Sequence, residues 1–211
     1  MFNVCPGCGQ YSEAKDVIPL PTVAICKFCS YGSTFLSLPM FVVTGASGSG
    51  KTTAALKLAR QAQNVVVLDQ DILWRDEYNT PEDDYRDFRN DWLRMAKNIH
   101  QSGRSVVLFG TSHPAQFEKV PERRYIGKIH YLALVCEATE LKKRLMGRPA
   151  WRKSGLEETL TDMDTFNQWL KDNAEITDPK MKLLDTTSIT VLETVAAIQE
   201  WINENVAEAS V

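Results

Sequence analysis

Apolar runs bounded by turn-forming residues alternate with amphipathic segments along most of this chain. Five of the runs predict buried strands, at residues 39–44, 64–68, 105–110, 128–136 and 181–185. The segments between them carry apolar residues three and four positions apart, as helices do, most clearly over 83–103. Strands that alternate with helices favour a sheet covered on both faces. We therefore predict an α/β fold with a five-stranded, doubly wound parallel sheet over residues 37–211.

Residues 1–36 have few apolar core positions but contain four of the five cysteines, Cys5, Cys8, Cys26 and Cys29. Two C-x2-C pairs separated by 17 residues match a tetrahedral Zn²⁺ site, because each short spacer lets two thiolates face one ion. A disulfide module and an iron site with the same ligands are the alternatives. The segment resembles a zinc ribbon, a family of small metal-clipped hairpins, and we place its boundary between residues 36 and 37.

A glycine-rich loop, G-x-x-x-x-G-K-T over 45–52, joins the first strand of the predicted sheet to a helix. This order predicts a P-loop, in which backbone amides and the helix N-terminus bind phosphate. We expect ATP on residues 45–53, with Lys51 at the β- and γ-phosphates and Thr52 holding Mg²⁺. The predicted nucleotide-binding residues are Gly45, Ser47, Gly48, Ser49, Gly50, Lys51, Thr52, Thr53 and, from a basic segment described below, Arg152.

Two carboxylates, Asp69 and Asp71, follow the second strand of the sheet. On an extended chain both would face the crevice at the carboxyl ends of the strands. The spacing resembles the Asp-x-Asp of small-molecule P-loop kinases such as the shikimate, gluconate and adenylylsulfate kinases. That resemblance implies Asp69 as a Mg²⁺ ligand, Asp71 as catalytic base or substrate contact, and Arg75 as an acceptor-binding residue, although either aspartate can be the base. A solvated acidic turn is the alternative.

The third strand ends in Gly110-Thr111-Ser112-His113-Pro114, without the aspartate that many P-loop proteins carry there. His113 is a candidate substrate contact, or only the cap of a helix that begins at Pro114.

Between Leu141 and Leu156 the chain has six cations and no acidic residue. The segment resembles the lid of P-loop kinases, which closes over the transferred phosphoryl group. The resemblance implies catalytic roles for Arg144 and Arg148 and a nucleotide contact for Arg152, and a solvated basic face is the alternative.

Overall charge and composition limit the possible partners. Lys and Arg total 24 against 27 for Asp and Glu, which leaves a formal charge of −3. This balance argues against a surface devoted to nucleic acid or an anionic membrane, so any anion site must be local. The apolar runs are far shorter than the roughly 20 residues of a membrane span. We expect a soluble, cytoplasmic protein without a membrane partner.

From about Leu38 onward the chain resembles nucleoside and nucleotide kinase-like P-loop proteins, a group with AAA-ATPase-like relatives. The resemblance implies transfer of the γ-phosphate of ATP to a hydroxyl or phosphate of a small acceptor, most simply a nucleoside or nucleotide. An antibiotic-like small molecule or a 5′-hydroxyl polynucleotide is the alternative acceptor, although the acidic region 76–91 disfavours nucleic acid. A different class of function is a non-catalytic, ATP-gated adaptor whose ribbon binds a partner.

Overall fold

The computed structural model describes residues 2–19 and 21–208. The predicted segments 1–36 and 37–211 include a few residues that lie outside the described ones, namely Met1, Leu20 and residues 209–211. Two sheets form within this part of the chain, one of three strands and one of five. None of the helices that the structure describes is both long enough and apolar enough to cross a membrane.

The first sheet is small and antiparallel, and it lies in the cysteine-rich segment. Its strands are β1 (Asp16–Pro19), β2 (Thr22–Ile25) and β3 (Gly32–Thr34), paired in the order β1-β2-β3. One C-x2-C pair precedes β1 and the other lies in the turn between β2 and β3. This arrangement is compatible with the predicted zinc ribbon. We call the described residues up to position 36 the cysteine module and the described residues from 37 onward the body.

The second sheet is parallel and forms the centre of the body, which confirms the predicted fold class. Its strands are β4 (Met40–Gly45), β5 (Val65–Asp69), β6 (Ser105–Phe109), β7 (Ile129–Val135) and β8 (Met181–Asp185). They lie in the order β5-β6-β4-β7-β8. Every residue of β4, β6 and β7 is buried, as expected of central strands whose two faces are both covered.

Helices cover both faces of this sheet. They are α1 (Lys51–Ala59), α2 (Arg86–His100), α3 (Pro114–Glu118), α4 (Ala138–Met146), α5 (Glu157–Asn173) and α6 (Val191–Glu208). Apolar residues of α2, α3 and α5 pack in one core cluster, and those of α1 and α6 pack in another. The sheet therefore separates two cores, and the carboxyl ends of its strands share one edge.

Two helix starts differ from the predictions. The helix predicted over 83–103 begins only at Arg86, because Asp84 and Tyr85 have φ angles of 53° and 57°, in the left-handed region. Its predicted apolar face does pack against the core. The sequence pattern predicts a helix from Asp162 to Asn173, and α5 begins five residues earlier, at Glu157. Thr190 and Glu193 predict a capping box at the start of α6, and it is present, since the Thr190 amide donates to Glu193 at 2.7 Å and the Glu193 amide donates to Thr190 at 3.2 Å.

The central position of β4 leads to a stability prediction. Phe41 is fully buried and its ring packs on His130 and Trp201, with centroid distances of 5.3 and 5.4 Å. We expect Phe41→Ala to lower the free energy of unfolding by about 3–5 kcal/mol, because it removes the ring and leaves a cavity. Leu56→Ala on the exposed side of α1 should change it by less than about 0.5 kcal/mol. Denaturant unfolding measures both values, and equal effects would contradict this packing.

Candidate active site

The predicted P-loop leaves the central strand β4 and wraps around the start of α1. Gly45 has a φ angle of +153°, and a Cβ atom there would lie 2.5 Å from Ser49 Oγ and 2.6 Å from the carbonyl oxygen of Leu134. Gly50, with a φ angle of 100°, precedes the first residue of α1. The loop therefore needs glycine at both ends, and it places the unbonded amides of the first turn of α1 at the sheet edge.

Lys51 is folded back into this loop. Its Nζ donates to the carbonyl oxygens of Gly45 at 2.6 Å and Ala46 at 2.9 Å. Burial lowers the pKa of Lys51 to about 8; Asp71 acts in the opposite direction, and Arg148 lowers the pKa further. The ammonium is thus destabilised by its surroundings, and a phosphate anion would stabilise it.

Asp69 and Asp71 lie beside the P-loop, but not on an extended chain as predicted. The chain turns into a 3-10 helix at Gln70, and Asp69 Oδ1 caps that turn by accepting from the Asp71 amide at 3.0 Å. Its other oxygen, Oδ2, accepts from the Thr52 hydroxyl at 3.4 Å. Burial and the neighbouring Asp69 charge raise the pKa of Asp71, while Lys51 and Arg152 oppose the shift.

Two adjoining cavities follow the loop. The first, of about 130 Å³, is polar and we call it the phosphate-side pocket. It is lined by Ser47, Gly48, Gly50, Lys51, Thr52, Thr53, Asp69, Asp71, Phe109, Gly110, Thr111, Arg148 and Arg152. The second, of about 330 Å³, we call the base-side pocket, where the word base refers to a nucleobase and not to a proton acceptor. It is lined by Gly48, Ser49, Gly50, Thr53, Ala54, Arg144, Arg148, Thr186, Ile189, Val191 and Thr194.

The three arginines of the basic segment occupy different places. Arg148 borders both pockets, and Arg152 borders the phosphate-side pocket, where its guanidinium lies over the exposed ring of Trp151. Arg144 is separate from the phosphate side. It donates to the carbonyl oxygen of Thr186 at 2.7 Å and to Glu140 at 2.9 Å, so it lies on the wall of the base-side pocket. The structure therefore separates Arg144 from Arg148, although the sequence predicted the same role for both.

Two of the three predicted acceptor contacts, Arg75 and His113, have hydrogen-bond partners within the protein. Arg75 donates to the Tyr78 hydroxyl at 2.9 Å, and its guanidinium packs over the Tyr78 ring. The backbone amide of His113 donates to the Gln116 side chain at the start of α3. The centroid of the His113 imidazole lies 5.5 Å from that of the Trp169 ring. Burial lowers the pKa of His113, which favours the neutral imidazole.

The four clustered cysteines fit a tetrahedral metal ion. Their sulfurs lie within 4.8 Å of one another, with Sγ separations of 3.6 Å between Cys5 and Cys29 and 3.8 Å between Cys8 and Cys26. Metal–sulfur bonds of about 2.3 Å in a tetrahedron place sulfurs about 3.8 Å apart. All five cysteines are free thiols. Amides of Phe28 and Cys29 lower the pKa of Cys26 to about 6. At Cys29 the Tyr31 amide acts in the same direction, but the neighbouring cysteine sulfurs, Cys8 foremost, and burial together outweigh it and the pKa rises to about 12, so the first thiolate of the cluster forms at Cys26.

Comparison with known families agrees with this geometry. The sequence profile of the AAA domain family matches residues 42–175, which is more than half of the chain and includes the P-loop, both carboxylates and the basic segment. The chain belongs to the AAA domain family. No curated protein sequence matches it.

Solved structures show the same fold as this AAA domain. A sugar kinase from a Janibacter species has 18% identity and a TM-score of 0.58, covering 81% of this chain and 97% of its own. A gluconokinase from Sinorhizobium meliloti has 17% identity and a TM-score of 0.55, covering 84% and 99%. A thymidylate kinase from Candida albicans has 15% identity and a TM-score of 0.53, covering 80% and 92%. The body of the chain therefore has the fold of small P-loop kinases.

Behind the carboxylates of the AAA domain lies a buried polar cluster that sequence reasoning missed. Arg89 of α2 donates to Gln70 Oε1 at 2.7 Å and to the carbonyl oxygen of Thr111 at 2.9 Å. Gln70 also donates to that carbonyl at 3.2 Å, and a Cβ atom on Gly110 would overlap its side chain. Burial lowers the pKa of Arg89 to about 10. In the sequence, this cluster could have been inferred from the position of Arg89, a charged residue on the apolar face of the amphipathic helix α2.

The sulfur geometry predicts a metal content. We expect the full-length protein, purified without chelators, to contain about one zinc ion per chain, and Cys26→Ser to lose it. Cys136→Ala should keep the metal, because Cys136 is buried in the body, in the core cluster beside the P-loop. Elemental analysis measures this. Iron in place of zinc, or no metal, would contradict the zinc assignment.

The lowered pKa of Lys51 predicts a pH dependence of nucleotide binding. Below about pH 8 the side chain is charged and binds phosphate; as the pH rises through that value it loses its proton. We expect the Kd for ADP to rise close to tenfold between about pH 7.5 and about pH 9. Lys51→Arg should flatten the profile, because a guanidinium stays charged. Calorimetric titrations at several pH values measure both slopes, and identical slopes would refute the assignment.

Proposed function

We propose that this AAA domain is an ATP-dependent phosphotransferase that moves the γ-phosphate to the hydroxyl of a small acceptor. We further propose that residues 1–36 form a zinc ribbon and residues 37–211 the catalytic unit. The observation that carries the proposal is a single polar pocket containing the P-loop lysine, two carboxylates and two arginines. Each of these groups has a distinct use in phosphoryl transfer.

On the donor side, the loop amides and Lys51 would bind the phosphates of ATP, and the base-side pocket would hold its nucleoside. Arg144 supports that assignment, since it fastens the segment 186–187 to α4 at the pocket wall. Arg148 and Arg152 border the phosphate-side pocket and would offset charge on the transferred phosphoryl group. Arg144 therefore serves the nucleoside side, and Arg148 is the catalytic arginine.

Thr52 and Asp69 are the residues that would hold Mg²⁺. A hydroxyl and a carboxylate 3.4 Å apart at the phosphate-side pocket are oxygen ligands of the kind this ion prefers. When bound, Mg²⁺ neutralises charge on the phosphates. The hydrogen bond from the Asp71 amide to Asp69 Oδ1 restrains this carboxylate, so its other oxygen, Oδ2, is already oriented toward Thr52 before the ion binds.

Asp71 is the better candidate for the catalytic base. Its raised pKa makes the carboxylate a stronger proton acceptor than an ordinary aspartate. It would take the proton from the acceptor hydroxyl while that oxygen attacks the γ-phosphorus, the bond from the γ-phosphorus to the bridging oxygen breaks, and ADP leaves. Asp69, committed to Thr52 and to the turn, is less free to do so.

The acceptor side favours an uncharged hydroxyl compound over a nucleotide. Asp76, Glu77, Glu82, Asp83, Asp84 and Asp87 are all exposed on the segment that follows Asp71. Arg75, one of the predicted acceptor contacts, already donates a hydrogen bond to the Tyr78 hydroxyl. Trp74, which is 43% exposed, offers a flat apolar surface one turn from Asp71. A nucleoside or another neutral alcohol with a planar face fits this acidic surface and the Trp74 ring better than a phosphate or a polynucleotide does.

The base assignment is tested with Asp71→Asn. We expect the variant to lower the rate of γ-phosphate transfer roughly 100- to 10,000-fold and to leave the affinity for ADP near the wild-type value, because only proton acceptance is lost. Asp76→Asn, an exposed aspartate of the same segment, is the matched control and should keep the wild-type rate. Labelled ATP with a panel of nucleosides and alcohols provides the assay. Full transfer by Asp71→Asn alongside an inactive Lys51→Ala would exclude this mechanism.

A further inference from the structure

The cysteine module is packed on the body through a buried lysine of α2. Lys97 is completely buried, and its Nζ donates to Asn3 of the module at 2.8 Å and to Glu122 of the body at 2.7 Å. The rings of Phe2 and Tyr125 each lie 4.6 Å from this ammonium. A buried charge is stable only while such partners remain in place. The module therefore supplies part of the environment that keeps Lys97 charged in the core.

Further contacts make this interface specific. The Tyr125 hydroxyl accepts from the Lys15 amide at 2.7 Å and donates to the Glu13 carbonyl at 3.2 Å. The side chain of Gln101, just after α2, accepts from the Leu36 amide at 3.0 Å and donates to the Leu36 carbonyl at 3.1 Å. Backbone groups of the module are thus paired with side chains of the body, which fixes the position of one against the other.

The other half of α2 belongs to the candidate active site. Arg89, two helical turns before Lys97 and on the same buried side, holds Gln70 and the Thr111 carbonyl behind the carboxylates. Eight residues of helix span about 12 Å. A helix is stiff over that length, so a shift at Lys97 is transmitted to Arg89.

A second link runs along the surface of the same helix. Glu13 of the module contacts Arg94 at 3.3 Å, and Arg94 contacts Asp91 at 3.4 Å. Asp91 accepts from the Tyr78 hydroxyl at 2.6 Å, and Tyr78 in turn accepts from Arg75 at 2.9 Å. This chain of contacts ends in the segment 70–80, which carries Asp71 and the exposed Trp74. Both links reach the acceptor side of the pocket. The first also meets the P-loop, because the Thr111 hydroxyl donates to the Gly45 carbonyl at 3.3 Å. The strand before that loop, β4, is held separately by its pairing with β6 and β7.

We propose that the metal-loaded cysteine module positions the acceptor side of the active site through α2, with Lys97 and Arg94 as the positioning residues. The inference builds on the proposed function, because that assignment defines the acceptor side. Without its metal the module has no sulfur cage to hold Phe2, Asn3 and Glu13 against α2. Segment 70–80 then loses support while the nucleotide side keeps its own.

Hydrogen exchange of the full-length protein tests this without requiring turnover. Zinc is removed with a chelator and restored with Zn²⁺, and amide exchange is followed by mass spectrometry. We expect exchange in 70–80 and 86–100 to accelerate about tenfold or more on removal, from the loss of hydrogen bonds to charged groups, and to recover with Zn²⁺. Exchange in β4 and the Kd for ADP should stay close to the metal-loaded values. Unchanged exchange outside the module would overturn the proposal, and so would equal acceleration in β4.

A double variant separates the contacts from the metal. Asn3→Ala with Glu13→Gln removes both polar links and leaves the four cysteines intact, so we expect zinc to be retained while exchange in 70–80 accelerates. Asn98→Ala is the control, because Asn98 is exposed on α2 and, among the residues that the structure describes, its side chain donates only to the Arg94 carbonyl of its own helix. Wild-type exchange in the double variant would refute the role of these links. Absence of phosphate transfer would refute the proposed function, not this coupling.

Discussion

The part-buried ammonium of Lys51 is the charge around which the rest of the site is arranged. Two carbonyl oxygens hold it, but the loss of contact with water lowers its pKa to about 8. Arg148 adds positive charge beside it, and the first turn of α1 adds unbonded amides. The pocket therefore carries positive charge that its two aspartates neutralise only in part. A phosphate chain is the kind of ligand that would neutralise the rest.

Much of this arrangement could be predicted from the sequence, because the signals are local. The P-loop is a contiguous motif between a buried strand and a helix, and the ribbon cysteines lie in two short pairs. The capping box of α6 and the apolar face of α2 are likewise set by residues three or four positions apart. For such features the short-range geometry of the chain leaves few alternatives.

What the sequence could not predict depends on contacts between distant residues. Arg144 and Arg148 are one turn apart in the sequence, yet Arg144 turns to Thr186, a residue 42 positions away. Arg89 stands on the apolar face of α2, but its partners Gln70 and Thr111 lie 19 and 22 positions away in the sequence. The left-handed residues Asp84 and Tyr85, which delay the start of α2, also leave no periodic signal. The docking of the cysteine module rests on pairs such as Lys97 with Asn3, 94 positions apart. The nucleotide side of the site is therefore more visible in the sequence than the acceptor side.

In the proposed reaction, the pocket beside Lys51 and Asp71 transfers phosphate to a hydroxyl group. The most direct measurement incubates the metal-loaded protein with Mg²⁺, ATP and a mixture of nucleosides and other neutral alcohols, and then searches the products by mass spectrometry. We expect ADP together with a matching amount of a phosphate monoester of one acceptor class. ADP with only inorganic phosphate, or nucleotide binding with no turnover across the mixture, would contradict it and favour an ATPase or an ATP-gated adaptor.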